Sequence, residues 1–250
     1  SDFTQEHCNL GAAIQIITEE IVHKMAEEAK RLTGEENLCM AGGVALNCVA
    51  NGKLLQENIF DDIWIQPASG DAGSALGAAL VGWHQHQEQE RVVNTSDSMK
   101  GTYLGPEFSN VDIINYLEQI KAPFHTESDT KLFERLAEEL EKGHVIGWFK
   151  GRMEWGPRAL GNRSILANPI NKNIKDILNK KIKLREKFRP FAPAILFDHK
   201  EKYFEIDYHS PFMLNVVQAK EISKIKIPAV VHVDNTCRVQ TVKQNENKHF

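Results

Sequence analysis

The order of elements predicted for residues 38–86 constrains the fold more than any other feature. Short apolar runs at 38–41 and 63–65 are typical of buried strands, and each leads through glycine into a helical segment, at 44–55 and 72–86. Strands that alternate with helices in this way predict the α/β class.

A further helix precedes these two units and ends at Gly34. Its apolar residues are spaced three and four positions apart over residues 13–32, as expected for one stripe of a helix. The residues of this stripe are Ile14, Ile17, Ile21, Met25, Ala29 and Leu32.

Helices and short strands also follow one another in the second half of the chain. Several strands with helices on one side predict a mixed open sheet. Helices are expected at 110–119, 130–141 and 174–182, and strands at 144–149, 194–197, 212–217, 229–233 and 238–242.

A polar run separates the two halves. Residues 85–100 are rich in Gln, Glu, Asn and Ser, and such a composition cannot bury enough surface to fold alone. We therefore predict a first domain over 1–90, a linker over 91–100 and a second domain over 101–250. The abrupt start on Ser1 suggests a piece of a longer protein.

The composition excludes some classes of partner. With 30 Lys and Arg against 34 Asp and Glu, the net charge of -4 argues against nucleic-acid binding, which shows as a basic domain or stripe. No apolar run is long enough to cross a bilayer, so no membrane partner is expected. The absence of a Cys-x-x-Cys spacing predicts buried, reduced thiols in a cytoplasmic protein. The four cysteines are Cys8, Cys39, Cys48 and Cys237.

Two arginine-rich loops, at 151–164 and 183–193, carry the strongest functional signal. A guanidinium group matches phosphate or carboxylate in two hydrogen bonds at once, and the Gly and Pro residues of these loops suggest a shaped anion pocket rather than a solvated face. Glu154 is expected to hold one arginine by an ion pair. A stiff pocket loses less entropy when it binds an anion.

The glycine turns suggest a second binding site. Where a strand ends and a helix begins, backbone N–H groups face a phosphate at close range, because glycine has no Cβ to block the approach. The turns at Gly42, Gly43 and Gly70 fit this arrangement, and tight packing is the alternative. Asp71 follows the second turn and either caps the helix or binds a metal.

A third group of polar residues lies near the end of the chain. His232, Asp234 and Thr236 occupy alternate positions, which puts them on one side if a strand continues through them. A His-x-Asp pair is more often structural than functional, so both interpretations stay open.

Four motifs follow one another along the chain. They are Ala-Gly-Gly-Val-Ala-Leu-Asn at 41–47, Ser-Gly-Asp-Ala-Gly-Ser-Ala-Leu-Gly-Ala-Ala at 69–79, Glu-Trp-Gly-Pro-Arg-Ala-Leu-Gly-Asn-Arg-Ser at 154–164 and Lys-x-Arg-Glu-x-Phe-Arg-Pro-Phe-Ala-Pro at 183–193. Together they resemble the O-carbamoyltransferases of the nodulation and antibiotic-biosynthesis type. The resemblance implies an α/β (α+β) chain: the C-terminal part of an actin-like (ASKHA, Kae1-like) domain, then a YrdC-like mixed-sheet domain truncated at its C-terminus.

The resemblance also implies the site residues. In the second domain, the implied catalytic residues are Arg158, Lys183, Arg189 and Arg238, and second-rank ligands of carbamoyl phosphate or ATP are Arg152, Asn162, Arg163, Ser164, Arg185 and His232. In the first domain, the implied nucleotide-binding residues are Gly42, Gly43, Asn47 and Gly70, and Asp71 is the implied ligand of a divalent metal, Fe or Mg.

The implied reaction has two steps. ATP and carbamoyl phosphate form carbamoyl-adenylate at the second domain, and the carbamoyl group then passes to a hydroxyl of a small-molecule acceptor at the first, where the metal acts as a Lewis acid. A non-catalytic nucleotide-binding or interaction module is one alternative. Threonylcarbamoyl-adenylate chemistry for tRNA modification is another, which the acidic charge disfavours. The identity of the acceptor and a homodimeric state stay open.

Two departures from the family pattern bear on activity. The His-x-x-x-His metal pair of the family does not occur in this chain, and Asn235 replaces the glycine that is usual in the family's His-x-Asp-Gly-Thr motif. We therefore expect the chain by itself to form an incomplete transfer site.

Overall fold

The computed structural model describes residues 3–248 and Phe250. It divides the chain into two compact units of mixed α/β structure. The first unit holds the residues up to Arg91 together with Met213–Val217, and the second holds Val92–Phe212 and Gln218–Phe250. Their assignment as Kae1-like and YrdC-like domains stays a prediction.

In the first unit, two parallel strands alternate with helices. The strands pair from Asn37 opposite Asp62 to Met40 opposite Ile65, so that the turn after each strand lies at the same edge. A 3-10 turn at Gly43–Leu46 precedes the second helix. The elements are α1 (Gln5–Thr33), β1 (Asn37–Met40), α2 (Cys48–Gln56), β2 (Asp62–Ile65) and α3 (Asp71–Val81).

Helix α1 begins at Gln5 rather than at residue 13, because the Thr4 side chain caps it, and it ends at Gly34, whose φ of 69° suits glycine. Its buried Ala26 packs with Leu54 and Phe60, and Val22 and Ala29 lie against this cluster. The predicted apolar stripe is largely exposed: its members Ile14, Ile17, Ile21, Met25 and Leu32 are 52–67% exposed, and only Ala29 of the stripe packs against the cluster.

Residues 213–217 cover α2 in the first unit. The Val216 N–H donates to the Cys48 carbonyl at 3.1 Å, and Asn51 Nδ2 donates to the Leu214 carbonyl at 2.9 Å. A Cβ at Gly52 would lie 2.6 Å from the Val216 carbonyl oxygen, so glycine is required there. The strand predicted at 212–217 is wrong except at Val217, because the backbone of this segment bonds to α2 instead of to a sheet.

In the second unit the described strands form separate pairs rather than the expected open sheet. Strands β3 and β4 are antiparallel, β5 and β8 are parallel, and β6 pairs with β7. The helices are α4 (Asn110–Gln119), α5 (Asp129–Glu141), α6 (Ile174–Ile177), α7 (Lys200–Tyr203) and α8 (Glu221–Lys226). The strands are β3 (Ile146–Phe149), β4 (Arg163–Leu166), β5 (Ala194–Leu196), β6 (Val217–Gln218, of which Val217 is grouped with the first unit), β7 (Thr236–Cys237) and β8 (Gln240–Val242).

The segment around residues 228–236 also differs from its prediction as a strand. Pro228–Val230 form a 3-10 turn, and the chain then reverses so that the His232 N–H donates to the Thr236 carbonyl at 2.8 Å. Ala229 packs with Ile174 and Leu178 in a buried cluster. Proline at the first position of the turn and this packing explain why the apolar residues here do not form a strand.

The four cysteines are free. Cys8 and Cys39 are exposed, so the prediction of burial is correct only for Cys237, where burial raises the pKa of the thiol to about 12. Across residues 3–248 and 250, no helix combines the length and the apolar character that a membrane span requires.

Candidate functional site

The first arginine-rich loop connects β3 and β4. These strands pair with Phe149 opposite Arg163, and the ladder extends into the loop, where the Lys150 N–H donates to the Asn162 carbonyl at 3.0 Å. Both ends of the loop are therefore held at one place by the strand pair.

Glu154 organises the interior of this loop. Its side chain is only 7% exposed, and its Oε1 accepts hydrogen bonds from the N–H groups of Leu160 at 2.6 Å, Asn162 at 2.9 Å and Arg163 at 3.2 Å. The expected ion pair between Glu154 and an arginine is thus replaced by three backbone hydrogen bonds. Charge-assisted bonds of this kind are among the stronger hydrogen bonds in proteins.

Arg163 also holds the loop together. Its Nη1 donates to the carbonyls of Lys150 at 3.0 Å and Asn162 at 2.9 Å, and its Nη2 donates to the Gly151 carbonyl at 3.0 Å. The guanidinium carbon lies 3.5 Å from the centre of the Phe149 ring, a cation–π contact. In this arrangement Arg163 shapes the loop, and its role as a phosphate ligand stays a prediction.

Three other second-rank residues of this loop make similar local contacts. Arg152 Nη1 donates to the Gly105 carbonyl at 3.0 Å. Asn162 Nδ2 donates to the Arg152 carbonyl at 2.7 Å, and Ser164 Oγ accepts from the Gly161 N–H at 3.0 Å. Each of them shapes the loop, and no contact marks one of them as a ligand.

Arg158 differs from its neighbours in the loop. Its side chain is half-buried, and its Nε atom is buried without a hydrogen-bond partner among the described residues. A buried donor without a partner costs free energy, and an anion would supply the missing acceptor. Among the arginines of this loop, Arg158 is therefore the one whose geometry best suits a ligand.

The second basic loop, at 183–193, is built around Asn179, a residue that the sequence analysis missed. Asn179 is fully buried. Its Nδ2 donates to the carbonyls of Lys187 at 3.3 Å and Arg189 at 2.8 Å, and its Oδ1 accepts from Arg185 Nε at 2.7 Å. One side chain thus holds both the backbone of the loop and one of its arginines. The signal in the sequence was a lone amide in an otherwise apolar and lysine-rich helical segment.

Several positively charged side chains of this loop and that of Arg238 affect one another electrostatically. Partial burial lowers the pKa of Arg185, and the charges of Arg189 and Arg238 lower it further, although Glu186 opposes them. Arg189 is exposed and its Nε donates to Glu186 Oε2 at 2.7 Å, and Lys183 is exposed as well. Like charges held together are unfavourable until an anion offsets them. We call Arg185, Arg189 and Arg238, whose charges act against one another in this way, the cationic cluster.

His232 belongs to the same electrostatic neighbourhood. Burial lowers its pKa, Asp234 opposes this effect, and the charges of Arg238 and Lys175 lower the pKa further. The turn of residues 232–236 brings His232, Asp234 and Thr236 together without the strand on which the prediction depended. Asn235 takes a φ of 64° in this turn, a conformation that glycine adopts freely and that asparagine tolerates better than most residues. This explains how asparagine replaces the glycine usual in the family.

The glycine turns of the first unit lie side by side. They follow the paired strands β1 and β2, and the Gly42 N–H donates to the Ser69 carbonyl at 3.0 Å. Gly42 has a φ of 97°, and an added Cβ at Gly42 or Gly43 would meet no atom within 4 Å. Tight packing therefore does not explain these two glycines, whereas the backbone conformation explains Gly42. Gly70 is the N-cap of α3.

Asn47 and Asp71 fit their predicted roles less directly. Asn47 caps α2 by accepting from the Ala50 N–H at 3.2 Å, and it exchanges two hydrogen bonds with Gln15. Asp71 is exposed in the first turn of α3 and does not cap it. No group of three His, Cys, Asp or Glu side chains suited to a metal occurs within the described part of the chain. A metal at Asp71 would need further ligands from elsewhere.

Two family models match the chain, Carbamoyltransferase N-terminus over residues 2–80 and Carbamoyltransferase C-terminus over residues 137–250. The chain therefore belongs to the carbamoyltransferase family, as its four motifs indicated. The second match includes both arginine-rich loops and the turn of residues 232–236, and the first includes both glycine turns.

Curated relatives agree with this family. Nodulation protein NolNO of Sinorhizobium fredii is 41% identical over 253 residues, and Nodulation protein NolO of Bradyrhizobium diazoefficiens is 40% identical over 252 residues, each match covering 99% of this chain. An uncharacterized protein of Synechocystis sp. is 46% identical over 272 residues, which covers 100% of this chain. The chain spans 36%, 45% and 44% of the length of these three relatives.

Proposed function

We propose that this chain is part of an O-carbamoyltransferase and that its second unit converts carbamoyl phosphate and ATP to carbamoyl-adenylate. The observation that carries the proposal is the buried Nε of Arg158, which has no hydrogen-bond partner among the described residues and lies within the segment matched by the carbamoyltransferase C-terminus. The opposing charges of the cationic cluster, in the same segment, support it. Carbamoyl phosphate is a small dianion with an amide end. Its recognition needs several fixed cations together with a few neutral hydrogen-bonding groups.

The cations of this unit have two tasks in the proposed reaction. One water and one carbamoyl phosphate yield carbamate and phosphate, and the carbamate oxygen then displaces pyrophosphate from ATP. In both steps negative charge moves onto a leaving group, and preorganised positive charge stabilises it. We assign this role to Arg158, Lys183, Arg189 and Arg238, with Arg185 held in place by Asn179.

The first unit is the proposed place of carbamoyl transfer to a small-molecule hydroxyl. The exposed turn at Gly42 and Gly43 suits a nucleotide phosphate, and Gly70 and Asn47 line the starts of α3 and α2. Asp71 is the one carboxylate that we assign to a divalent metal, which would supply Lewis acidity. In this proposal, residues other than those described by the structure supply the remaining metal ligands and the groups that select the acceptor.

The net charge of -4 favours a small-molecule acceptor over tRNA, because nucleic-acid binding draws on clustered basic surface. Two of the relatives carry names that refer to nodulation.

We further propose a cytoplasmic location, in which the four cysteines remain reduced.

Exchange of labelled pyrophosphate into ATP tests the proposal. The protein is incubated with ATP, labelled pyrophosphate and either carbamoyl phosphate or no carbamoyl donor. We expect label in ATP only when carbamoyl phosphate is present, because the reverse of adenylate formation regenerates ATP. Binding of ATP without any exchange, in this chain and in a longer family member that contains it, would instead support a non-catalytic nucleotide-binding module.

A pair of variants localises the activity. Arg158→Ala removes the arginine whose Nε is buried without a partner, whereas Arg135→Ala removes an exposed arginine that pairs with Glu127 on the surface. We expect exchange to fall strongly in the first variant and to stay at the wild-type level in the second. Equal effects would refute the assignment of Arg158.

A further inference from the structure

The turn of residues 232–236 contains a chain of three hydrogen-bonded side chains. Thr236 Oγ1 donates to Asp234 Oδ1 at 2.8 Å, and the Thr236 N–H donates to the same oxygen at 3.0 Å. His232 Nδ1 lies 3.0 Å from Thr236 Oγ1. Asp234, Thr236 and His232 therefore form a relay in which each group constrains the next.

The relay decides which ring nitrogen of His232 carries the proton. A threonine hydroxyl has one hydrogen, and Thr236 directs it to Asp234. The oxygen of Thr236 then offers only a lone pair to His232 Nδ1, so Nδ1 must be the N–H donor. In a neutral imidazole the other nitrogen, Nε2, keeps its lone pair and acts as an acceptor.

The surroundings of Nε2 keep the ring neutral and the acceptor available. Nε2 is buried and has no hydrogen-bond partner among the residues described by the structure. Burial and the nearby charges of Arg238 and Lys175 lower the pKa of His232, while Asp234 opposes them. A neutral hydrogen-bond acceptor thus lies near Arg238, the member of the cationic cluster whose charge acts on His232.

An acceptor in this position does not suit a phosphate oxygen, which also brings lone pairs. It suits an N–H donor that is carried by the same ligand as the phosphate. On the basis of the proposed function, the ligand with both features is carbamoyl phosphate, whose amino group lies at the end opposite to its phosphate.

We propose that His232 Nε2 accepts a hydrogen bond from the amino group of carbamoyl phosphate and thereby selects this ligand over acyl phosphates that lack the N–H group. Thr236 and Asp234 are positioning residues, because they act only through the tautomer of His232. Rejection of a ligand that leaves a buried polar group unpaired is an effective source of specificity.

Binding measurements with three ligands test this assignment. Calorimetric titrations compare carbamoyl phosphate, acetyl phosphate, in which a methyl group replaces the amino group, and inorganic phosphate. We expect the wild-type protein to bind carbamoyl phosphate at least about 10-fold more tightly than acetyl phosphate. In His232→Ala this preference should disappear while the affinity for inorganic phosphate is unchanged. His125→Ala, which removes an exposed histidine, should behave as wild type.

The outcomes separate this inference from the proposed function. If the wild-type protein binds none of the three ligands, the proposed function and the role of His232 both fail. If it binds carbamoyl phosphate and His232→Ala keeps the preference over acetyl phosphate, only the role of His232 fails. Loss of ATP affinity in His232→Ala with an intact preference would also overturn that role.

The relay has its own test. Thr236→Val keeps the shape of the side chain and removes the hydroxyl, whereas Thr236→Ser keeps the hydroxyl. We expect Thr236→Val to lose the preference for carbamoyl phosphate and Thr236→Ser to retain it.

A long-range proton–nitrogen NMR spectrum of the wild-type protein near neutral pH provides a measurement that needs no variant. It should show the proton of His232 on Nδ1, and a proton on Nε2 would overturn the inference.

Discussion

The two arginine-rich loops of the second unit use the same side chain in opposite ways. In the loop at 151–164, Arg163 donates to three carbonyls at 2.9–3.0 Å and lies against the Phe149 ring, so its charge is engaged by the loop itself. In the loop at 183–193, the charges of Arg189 and Arg238 oppose that of Arg185, which donates to Asn179 and lies over the Phe191 ring. The first arrangement builds a loop, and the second concentrates positive charge that Glu186 offsets only in part. An arginine-rich motif is therefore not by itself a measure of how many arginines bind.

The largest expected effect concerns the carboxylate inside the first loop. Glu154→Ala leaves three backbone N–H groups without their acceptor, and we expect the free energy of unfolding to fall by about 3 kcal/mol or more. Glu154→Gln keeps an oxygen acceptor and should lose only about 1 kcal/mol. Urea unfolding measures both, and Glu134→Ala on the exposed face of α5 is the control. Similar losses in the alanine and glutamine variants would contradict this account of the loop.

Two arginines of the same loop test the comparison directly. Arg163→Ala should lower the free energy of unfolding by about 2 kcal/mol, since its hydrogen bonds and ring contact are lost. Arg158→Ala should leave stability almost unchanged and weaken the binding of carbamoyl phosphate by about 10- to 100-fold. Thermal unfolding measures the stability of each variant, and calorimetric titration measures its affinity for carbamoyl phosphate. A loss of stability in Arg158→Ala as large as in Arg163→Ala would remove the distinction between building and binding arginines.

A smaller effect is expected for the residue that holds the second loop. Asn179→Asp keeps the acceptor for Arg185 and removes the Nδ2 donors to the carbonyls of Lys187 and Arg189. We expect the affinity for inorganic phosphate to fall by about fivefold, since the new carboxylate offsets part of the charge of Arg185 and a looser loop loses more entropy on binding. Asn173→Asp, at an exposed position before α6, is the matched control. If both variants bind phosphate as the wild-type protein does, Asn179 does not position the cationic cluster.

The smallest effect is a dependence of stability on pH. The pKa of His232 is lowered in the folded protein, chiefly by burial, so the unfolded chain takes up its proton first as the pH falls. The stability linked to His232 is then fully present above the pKa that His232 has in the unfolded chain. It is lost as the pH decreases towards the lower pKa that His232 has in the folded protein. When urea unfolding is measured from about pH 7.5 down to about pH 5.5, the free energy of unfolding should decrease less in His232→Ala than in the wild-type protein. His209, whose pKa burial also lowers, is present in both proteins and does not affect the difference. An equal decrease in both proteins would contradict the lowered pKa.

Elements with their own start signals were predictable from the sequence. Helix α4 occupies residues 110–119 as predicted because Ser109 caps it and Asp112 bonds back to Ser109, and α1 ends at Gly34 as predicted. Elements whose form depends on distant partners were not predictable. The apolar residues at 229–233 became a 3-10 turn and a chain reversal because Ala229 packs with α6, and residues 212–217 bond to α2 instead of to a sheet.

The candidate site shows the same division. The residues that bring His232, Asp234 and Thr236 together are neighbours in sequence, so their association was predictable even though the predicted strand was wrong. The contact between Asn179 and Arg189, and the buried carboxylate of Glu154 with its three donors, join residues whose pairing no local pattern specifies.

The sequence by itself determined the family, through four ordered motifs that lie within the segments matched by two family models. It also determined the helices and turns that capping residues and glycines define. Only the tertiary structure decided which arginines bond to their own loop, as Arg163 does, and which lie where other positive charges oppose them, as Arg185 does. The physical reason is that every guanidinium group carries the same charge and the same five donors. Its role depends on what surrounds it in the folded chain. Arg163 donates to backbone carbonyls of its own loop and lies against Phe149, whereas Arg185 is held by Asn179 and Phe191 and the charges of Arg189 and Arg238 oppose its own.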